Sequence, residues 1–277
     1  MLDRIVYEDI VKRALMEDIN YLDLSSSLIG DIIISRARVT FKEDGVLCGL
    51  NIFIECFRQI DPLVKIDKLK NEGDYVLKGE DVLSIEGRGS SILKAERTAL
   101  NFLQRMCGIA TKSRMYSNIV KGLNTRIVDT RKTTPGLRPL EKYAVRIGGC
   151  YNHRYNLSDA IMIKDNHIKS LGGIGSAIKK ARDIAPHTMR VEVEVSTIDE
   201  VNEALLNNAD IIMLDNMNYE DMKKAVEIID KKAIVEVSGN INLDTVEKVA
   251  SLSVDIISTG DLTHTIKSLD ISLNLVD

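Results

Sequence analysis

Six short apolar segments in the second half of the chain constrain its fold more than any other feature. Each segment has a polar residue at its end or, at Glu194, one residue before it, and these positions recur every 21 to 34 residues with helical patterns between them. One of the helices, at 197–207, opens with the capping-box pair Thr197 and Glu200. Strands that alternate with helices in this way form a parallel sheet. The segments are 126–130, 160–164, 191–195, 211–215, 234–238 and 255–259.

The number of repeats and the pattern of the first half predict an α/β protein with two domains. Six repeats are fewer than the eight of a closed barrel, so we expect a barrel-like sheet that is incomplete. Residues up to about 108 read as strands with attached helices, including β-rich stretches at 32–34 and 38–41. A helical pattern over 95–121 would connect the two domains.

Composition excludes several classes of protein. The net charge is −4, and the 277 residues contain only 8 Tyr, 4 Phe and no Trp, which argues against nucleic-acid binding. The four cysteines have no metal-binding spacing and read as buried thiols of a reducing compartment. The N-terminus lacks the pattern of a secretory signal, and no apolar run is long enough to cross a membrane. We therefore expect a cytoplasmic protein.

Positive charge is concentrated where the strand ends should meet. Segment 131–169 holds eight basic and three acidic residues, a local charge of +5. Four of these basic residues lie at or just past apolar strands: Arg131, Lys132, Arg154 and Lys164. Such a cleft suits a small substrate with several negative charges. We interpret Lys142 and Lys169 instead as parts of solvated helix faces.

Acidic residues are also predicted at this edge of the sheet. Glu192 and Glu194 alternate within one strand and must point the same way, and Asp215 follows four apolar residues. Two carboxylates, Glu194 and Asp215, in a positive cleft favour Mg2+ held together with substrate oxygens. They could equally stabilise a developing cationic carbon, as carboxylates do in glycosyl chemistry.

Glycines follow the last two strands in the strings Ser238-Gly239-Asn240 and Thr259-Gly260-Asp261. Their backbone N–H groups can hold a phosphate where each helix begins, and such a pocket is common on the last loops of α/β barrels. The chain has no recognised nucleophile motif. The residues alone thus predict a Mg2+-dependent site for a polyanion that carries a phosphate.

Several strings resemble the quinolinate phosphoribosyltransferase family, along nearly the whole chain. The most specific are Thr130-Arg-Lys-Thr-Thr-Pro-Gly-Leu-Arg138 and Ile163-Lys-Asp-Asn-His167. Glu96-Arg-Thr-Ala-Leu-Asn101, Gly108-Ile-Ala-Thr111, Asn152-His-Arg154 and Asn156-Leu-Ser-Asp159 match as well. The resemblance implies transfer of phosphoribose from phosphoribosyl pyrophosphate to quinolinate, with Mg2+, giving nicotinate mononucleotide, pyrophosphate and CO2 for NAD synthesis.

The resemblance also implies an architecture and an assembly. The fold would be an N-terminal open α/β sandwich domain at 1–108, joined by 264–277, and a C-terminal incomplete α/β barrel of six to seven strands at 109–263. A homodimer is implied, with higher oligomers possible, in which Arg97 reaches the neighbouring subunit's site. No nucleic-acid or membrane partner is expected.

Site roles follow from the matching motifs. Quinolinate's carboxylates would be bound by Arg131, His153, Arg154 and Lys164. Lys132 would lie at the junction of both substrates, and Glu194 and Asp215 near the ribose and metal. Gly239 and Gly260 match the family's phosphate loops. The further substrate-binding residues are Thr130, Ser238, Asn240 and Thr259. Asp261 departs from the family pattern and adds an acid beside the second loop.

Two alternatives remain open on the sequence. A related phosphoribosyltransferase-like protein, associated with molybdenum transport, shares the implied fold and would act on another anionic acceptor. It lacks the family's full set of lysines and histidine, which weighs against it here. The other alternative is a carrier domain, because 71–80 resembles the turn of a lipoyl-type domain and Lys68 lies nearby. A simple hairpin is the competing interpretation of that segment.

Overall fold

The computed structural model describes residues 2–21, 23–28 and 33–276, so Ile32 of the predicted β-rich stretch lies outside the described residues. The helices are α1 Arg4–Asp18, α2 Leu50–Ile60, α3 Gly89–Ile119, α4 Arg138–Ile147, α5 Asp165–Leu171, α6 Ile174–Ile184, α7 Ile198–Leu206, α8 Tyr219–Ile229, α9 Val246–Ala250 and α10 Asp261–His264. The strands are β1 Ile34–Phe41, β2 Gly45–Val46, β3 Lys65–Lys68, β4 Tyr75–Val76, β5 Asp81–Arg88, β6 Arg126–Val128, β7 Ile161–Ile163, β8 Val191–Val195, β9 Ile211–Asp215, β10 Ile234–Ser238, β11 Ile256–Ser258 and β12 Ile271–Val276.

The chain forms two compact units, neither of which is a continuous stretch. The first comprises Met1–Arg114, Thr133–Gly149 and Leu262–Asp277, and the second comprises Met115–Lys132 and Cys150–Asp261. The domain boundaries that the sequence predicts, 1–108, 109–263 and 264–277, stay a prediction.

The first unit contains a four-stranded antiparallel sheet in the order β12-β1-β5-β3. β1 buries Ala37, Val39 and Phe41, because alternate side chains of a strand point to the same face. α2 adds Phe53 and Phe57, whose rings lie 5.0 Å apart.

Segment 71–80 contains β4, which pairs with β2, and Lys68 Nζ bonds Asn51 Oδ1 at 3.0 Å. The segment is therefore part of the packed unit, as a hairpin interpretation requires.

The interpretation of Lys142 as a solvated residue is wrong. Lys142 is fully buried, whereas Lys169 is exposed as expected. The reason is that α4 buries five of its residues within the first unit, including two charged ones. Its neighbour Glu141 accepts hydrogen bonds from Arg105 Nε and Nη2 at 2.9 and 2.7 Å. A helix face that reads as polar can be an interior face when ion pairs supply its partners.

The second unit contains six parallel strands in the order β6-β11-β10-β9-β8-β7, with helices between successive strands. Tyr151 adds a parallel bridge to Val128 at the β6 edge. β6 and β7 are the two edges of this set of paired strands, and the predicted barrel-like parallel sheet is confirmed. The predicted bounds of β8, β9 and β10 are confirmed residue for residue.

The capping box and the alternating strand that the sequence predicts in the second unit are both present. Thr197 Oγ1 accepts from Glu200 N at 3.2 Å, and Thr197 N donates to Glu200 Oε2 at 3.2 Å. β8 turns its valines to one face and its glutamates, Glu192 and Glu194, to the other.

The four cysteines are free, buried thiols, as expected. No helix within the described part of the chain has both the length and the hydropathy that a membrane span needs.

Candidate active site

The predicted polar residues of the second unit lie at the carboxyl ends of its strands. Thr130 follows β6, Lys164 follows β7 and Thr259 follows β11, while Asp215 and Ser238 end neighbouring strands and are paired in register. The carboxyl ends of parallel strands share one edge of a sheet. That edge is therefore where the second unit gathers its candidate site residues.

Two buried acids that the sequence analysis did not assign to the site lie on the same inner face. Glu192 on β8 and Glu236 on β10 are 2% and 1% exposed. His153 Nε2 lies 3.4 Å from Glu192 Oε2 and 3.5 Å from Glu236 Oε1. The signal that could have found Glu236 is its period-2 relation to Ser238, the same relation that links Glu192 to Glu194.

These three side chains share protons. Burial alone would lower the pKa of His153, but the carboxylates of Glu192 and Glu236 outweigh it and raise that pKa to about 9. Burial and the charge of Glu236 raise the pKa of Glu192. His153 Nδ1 lies 2.8 Å from Arg154 N. Either the imidazole is doubly protonated or one acid keeps its proton, and both placements leave a net charge of −1.

The raised pKa of His153 predicts a pH-dependent stability. A folded-state pKa near 9, against 6.5 for an ordinary histidine, contributes stability that is complete below pH 6.5 and is lost as pH rises through 9. The free energy of unfolding should fall by about 3 kcal/mol across this range. Urea unfolding at several pH values measures it. His153→Gln should abolish this fall, whereas the exposed His187→Gln should retain it.

The backbone around His153 is held by a buried acid. Asp129, fully buried at the end of β6, accepts from His153 N at 2.9 Å and from Asn152 Nδ2 at 2.6 Å. Arg154 Nη1 donates to Ala160 O at 2.8 Å. Burial first, and then the charge of Arg131, lower the pKa of Arg154. Two guanidinium groups that repel each other, of which that of Arg154 is half-buried, favour an anion between them.

Lys164 and Glu194 form an ion pair at the ends of β7 and β8. The side chain of Lys164 is 43% exposed and that of Glu194 is 19% exposed, so the pair opens to solvent. Asp215, at the end of β9, accepts from Asn216 Nδ2 at 2.8 Å. The predicted acids thus lie beside groups that donate hydrogen bonds.

The loops after β9 and β10 fit closely against each other. Asn216 N donates to Ser238 O at 3.0 Å, and Asn240 Nδ2 donates to Asn216 Oδ1 at 3.3 Å. Gly239 has φ +93, and a Cβ there would lie 2.2 Å from Asn216 Oδ1. This backbone conformation and this close approach both require glycine.

Gly239→Ala should therefore destabilise the protein by about 1–3 kcal/mol. Gly172→Ala is the matched control, because Gly172 has φ +77 but nothing lies within 4 Å of its Cβ position. The control should lose about 1 kcal/mol of unfolding free energy, which is the cost of the left-handed backbone conformation without a steric contact. Chemical denaturation of both variants measures the difference, and equal losses would show that the contact with Asn216 does not matter.

The loop after β11 is held from inside the unit. Thr259 Oγ1 donates to Ile241 O at 2.9 Å and accepts from Asp261 N at 3.2 Å. The buried Tyr116 donates its phenol proton to Asp261 Oδ2 at 2.7 Å, and burial raises the pKa of that phenol. One carboxylate oxygen of Asp261, the acid that departs from the family pattern, thus accepts a hydrogen bond from a side chain of its own unit.

Three of the four remaining predicted residues are exposed. Arg131 and Lys132 follow β6, and Lys132 N donates to Thr130 Oγ1 at 3.0 Å. Arg97 lies on the part of α3 that belongs to the first unit. Gly260, between Thr259 and Asp261, is half-buried.

The fold and the strand-end groups define an α/β-barrel enzyme with a cationic, carboxylate-containing site. Comparison with known proteins specifies the family. Residues 23–107 match the model for the N-terminal domain of quinolinate phosphoribosyl transferase, and residues 109–274 match that for its C-terminal domain. The chain belongs to the quinolinate phosphoribosyltransferase family.

Relatives in several organisms are similar over most of their length. The Bacillus subtilis protein named probable carboxylating nicotinate-nucleotide pyrophosphorylase is 42% identical over 94% of this chain and 90% of its own. The crystal structure of NadC from Streptococcus pyogenes has a TM-score of 0.95 and 42% identity, covering 100% of this chain and 99% of that one. Nicotinate-nucleotide pyrophosphorylase from Francisella tularensis has a TM-score of 0.95 at 39% identity, with coverages of 100% and 98%. These names do not favour the molybdenum-associated alternative.

Proposed function

We propose that this protein transfers the phosphoribosyl group of phosphoribosyl pyrophosphate to quinolinate, forming nicotinate mononucleotide, pyrophosphate and CO2 in NAD biosynthesis. It would thus be a pentosyltransferase. The observation that carries this proposal is the group of Arg131, His153, Arg154 and Lys164 at the strand ends, in a chain of this family. A planar dicarboxylate needs several fixed cations, and each charge-assisted hydrogen bond contributes roughly 1.5–3 kcal/mol.

The phosphoribosyl pyrophosphate would bind on the loops after β6, β10 and β11. Gly239 and Gly260 leave room for a phosphate to approach the backbone, and backbone N–H groups there can hold it. Hydroxyl and amide side chains of the same loops supply further donors: Thr130, Ser238, Asn240 and Thr259.

The reaction requires orientation and charge rather than a covalent intermediate with the protein. The bond from ribose C1 to pyrophosphate breaks as the bond to quinolinate N1 forms. Glu194 and Asp215 would stabilise the positive charge that develops on C1, and Lys132 would lie between the two substrates. The positive charge of the ribosylated ring nitrogen then stabilises the electron pair that stays on the neighbouring ring carbon when its carboxylate leaves as CO2, and a proton adds to that carbon.

Mg2+ is the proposed cofactor. Glu194 and Asp215 offer carboxylate oxygens, and this ion is commonly held by one or two carboxylates together with substrate phosphates. The donor set therefore fits the ion. When bound, Mg2+ would neutralise charge on the departing pyrophosphate.

We also propose a cytoplasmic homodimer, with higher oligomers possible. Arg97 is exposed on α3 and would contribute to the neighbouring subunit's quinolinate site. A shared site would explain an arginine held on a helix surface outside the second unit's strand ends. No nucleic-acid or membrane partner is proposed.

The first experiment is an assay of the purified protein with quinolinate, phosphoribosyl pyrophosphate and Mg2+, following nicotinate mononucleotide and CO2. Nicotinate serves as the control acceptor. We expect product with quinolinate as the acceptor and none with nicotinate. Chelation of Mg2+ by EDTA should abolish turnover, and excess Mg2+ should restore it. A folded protein that makes no product from quinolinate would contradict the proposal and favour the molybdenum-associated alternative.

A further inference from the structure

A buried ion pair of the first unit lies close in the chain to the proposed substrate residue Lys132. Glu141 on α4 is 1% exposed, and its Oε1 accepts from Nε and Nη2 of Arg105 on α3 at 2.9 and 2.7 Å. Two N–H groups of one guanidinium bonded to one carboxylate fix the orientation of both groups. The pair is therefore a rigid support for whatever else it bonds.

Both members of this pair bond Thr134. Glu141 Oε2 accepts from Thr134 N at 3.1 Å, and Arg105 Nη2 donates to Thr134 Oγ1 at 2.6 Å. The three residues close a ring of hydrogen bonds that holds the main chain and the side chain of Thr134 together. Thr134 O also accepts from Leu137 N at 3.0 Å. We call Arg105, Glu141 and Thr134 the loop clamp.

The loop clamp restrains the chain just after Lys132. Thr134 is two residues further on, which is at most about 7 Å of chain. Between them, Thr133 Oγ1 accepts from Arg138 Nε at 3.0 Å. On the other side, Lys132 N donates to Thr130 Oγ1 at 3.0 Å. The main chain is thus held both before and after Lys132, whose side chain is exposed.

A second buried glutamate in the first unit shows what an ion pair between helices involves. Glu55 on α2 is 0% exposed and accepts from Arg4 Nη2 at 2.9 Å and from Gln59 Nε2 at 3.1 Å. In the described contacts its side chain bonds only residues of α1 and α2. Buried ion pairs contribute little net stability, because desolvation offsets their attraction. The bonds to Thr134 therefore distinguish the loop clamp from a pair that only joins helices.

We infer that Arg105 and Glu141 are positioning residues that hold the chain at Thr134 and so keep Lys132 in one place for the reaction. Both act through Thr134, and neither is proposed to touch a substrate. The position of a reacting group matters because a displacement of about 1 Å can reduce a rate about 100-fold. The inference rests on the proposed function for the role of Lys132.

The first test compares Glu141→Gln with Glu55→Gln, its matched control. Each removes the charge of a buried glutamate that pairs with an arginine in the first unit, so both should lower the midpoint of thermal unfolding. Only Glu141→Gln should also lower kcat, by about tenfold at a temperature at which both variants are folded. An unchanged kcat in Glu141→Gln, or equal losses in both variants, would overturn the inference.

A double variant separates positioning from stability. Arg105→Met combined with Glu141→Leu replaces the ion pair by apolar side chains, which should restore the unfolding midpoint that Glu141→Gln loses. The kcat should stay about tenfold below that of the wild type, because Thr134 has lost both partners. Recovery of the wild-type kcat together with the stability would show that the pair is only structural.

A mutant cycle identifies the residue on which the loop clamp acts. In a Lys132→Ala background, which already lacks the positioned amine, Glu141→Gln should lower kcat no further. The residual rates are measured at high enzyme concentration. A further tenfold loss in that background would contradict the inference, since the loop clamp would then act through another residue.

Hydrogen exchange followed by mass spectrometry examines the loop without relying on activity. The N–H of Thr134 is bonded to Glu141, so its loss in Arg105→Met with Glu141→Leu should speed exchange in peptides covering 131–137 about tenfold. Glu55→Gln should leave these peptides unchanged. Equal exchange in the double variant and the wild type would contradict the inference. If the wild type makes no product from quinolinate the proposed function fails, while exchange still tests whether the loop is held.

Discussion

Lys132→Ala should reduce kcat about 100- to 1,000-fold, because it removes a cation from the proposed junction of the two substrates. Lys132 is exposed just past β6, and its backbone N bonds Thr130 Oγ1, so its main chain is held while its side chain can reach a ligand. Steady-state assays with both substrates at saturation measure the change. Thermal unfolding should be unaffected, since an exposed side chain contributes little to stability.

Lys169→Ala is the matched control for this loss. Lys169 is an exposed lysine on α5 that pairs only with Asp165 in the described contacts, across one helical turn. Its removal should change kcat by less than about twofold. Lys132→Arg keeps the charge with a different geometry and should recover part of the activity. Full activity in Lys132→Ala would contradict the proposed role of this residue.

Arg97→Ala should reduce quinolinate turnover about 100-fold, if a guanidinium from one subunit completes the site of its neighbour. The decisive experiment mixes two nearly inactive proteins, Arg97→Ala and Lys132→Ala, by co-expression with different tags. In a random mixture half of the dimers are mixed, and each has one site with both residues intact. About a quarter of the wild-type activity should return.

The control mixture pairs Lys132→Ala with Lys164→Ala. Both lysines are proposed to act in the site of their own subunit, so mixed dimers have no intact site and activity should stay low. Recovery in this control would mean that the subunits share more than Arg97. Absence of recovery in the Arg97 mixture, once mixed dimers are isolated by their tags, would show that the site is not shared.

Much of the second unit could be predicted because its signals are local. An apolar run that ends in a polar residue marks both a buried strand and its carboxyl end, and β8, β9 and β10 lie where these runs lie. Since parallel strands share one edge, the strand ends Lys164, Asp215 and Ser238 could be predicted to be neighbours. The strings around Thr130 and Lys164 were specific enough to indicate the family.

What the sequence left open depends on contacts between distant segments. Nothing local distinguishes Lys142, inside the first unit, from Lys169 on an exposed helix. Likewise, period 2 places Glu192 and Glu194 on one face but does not say which meets solvent and which meets His153. Sequence periodicity thus determined the strands and the edge where the chemistry gathers. Only tertiary packing decided which charges are buried together, because burial and pairing depend on residues brought from separate parts of the chain.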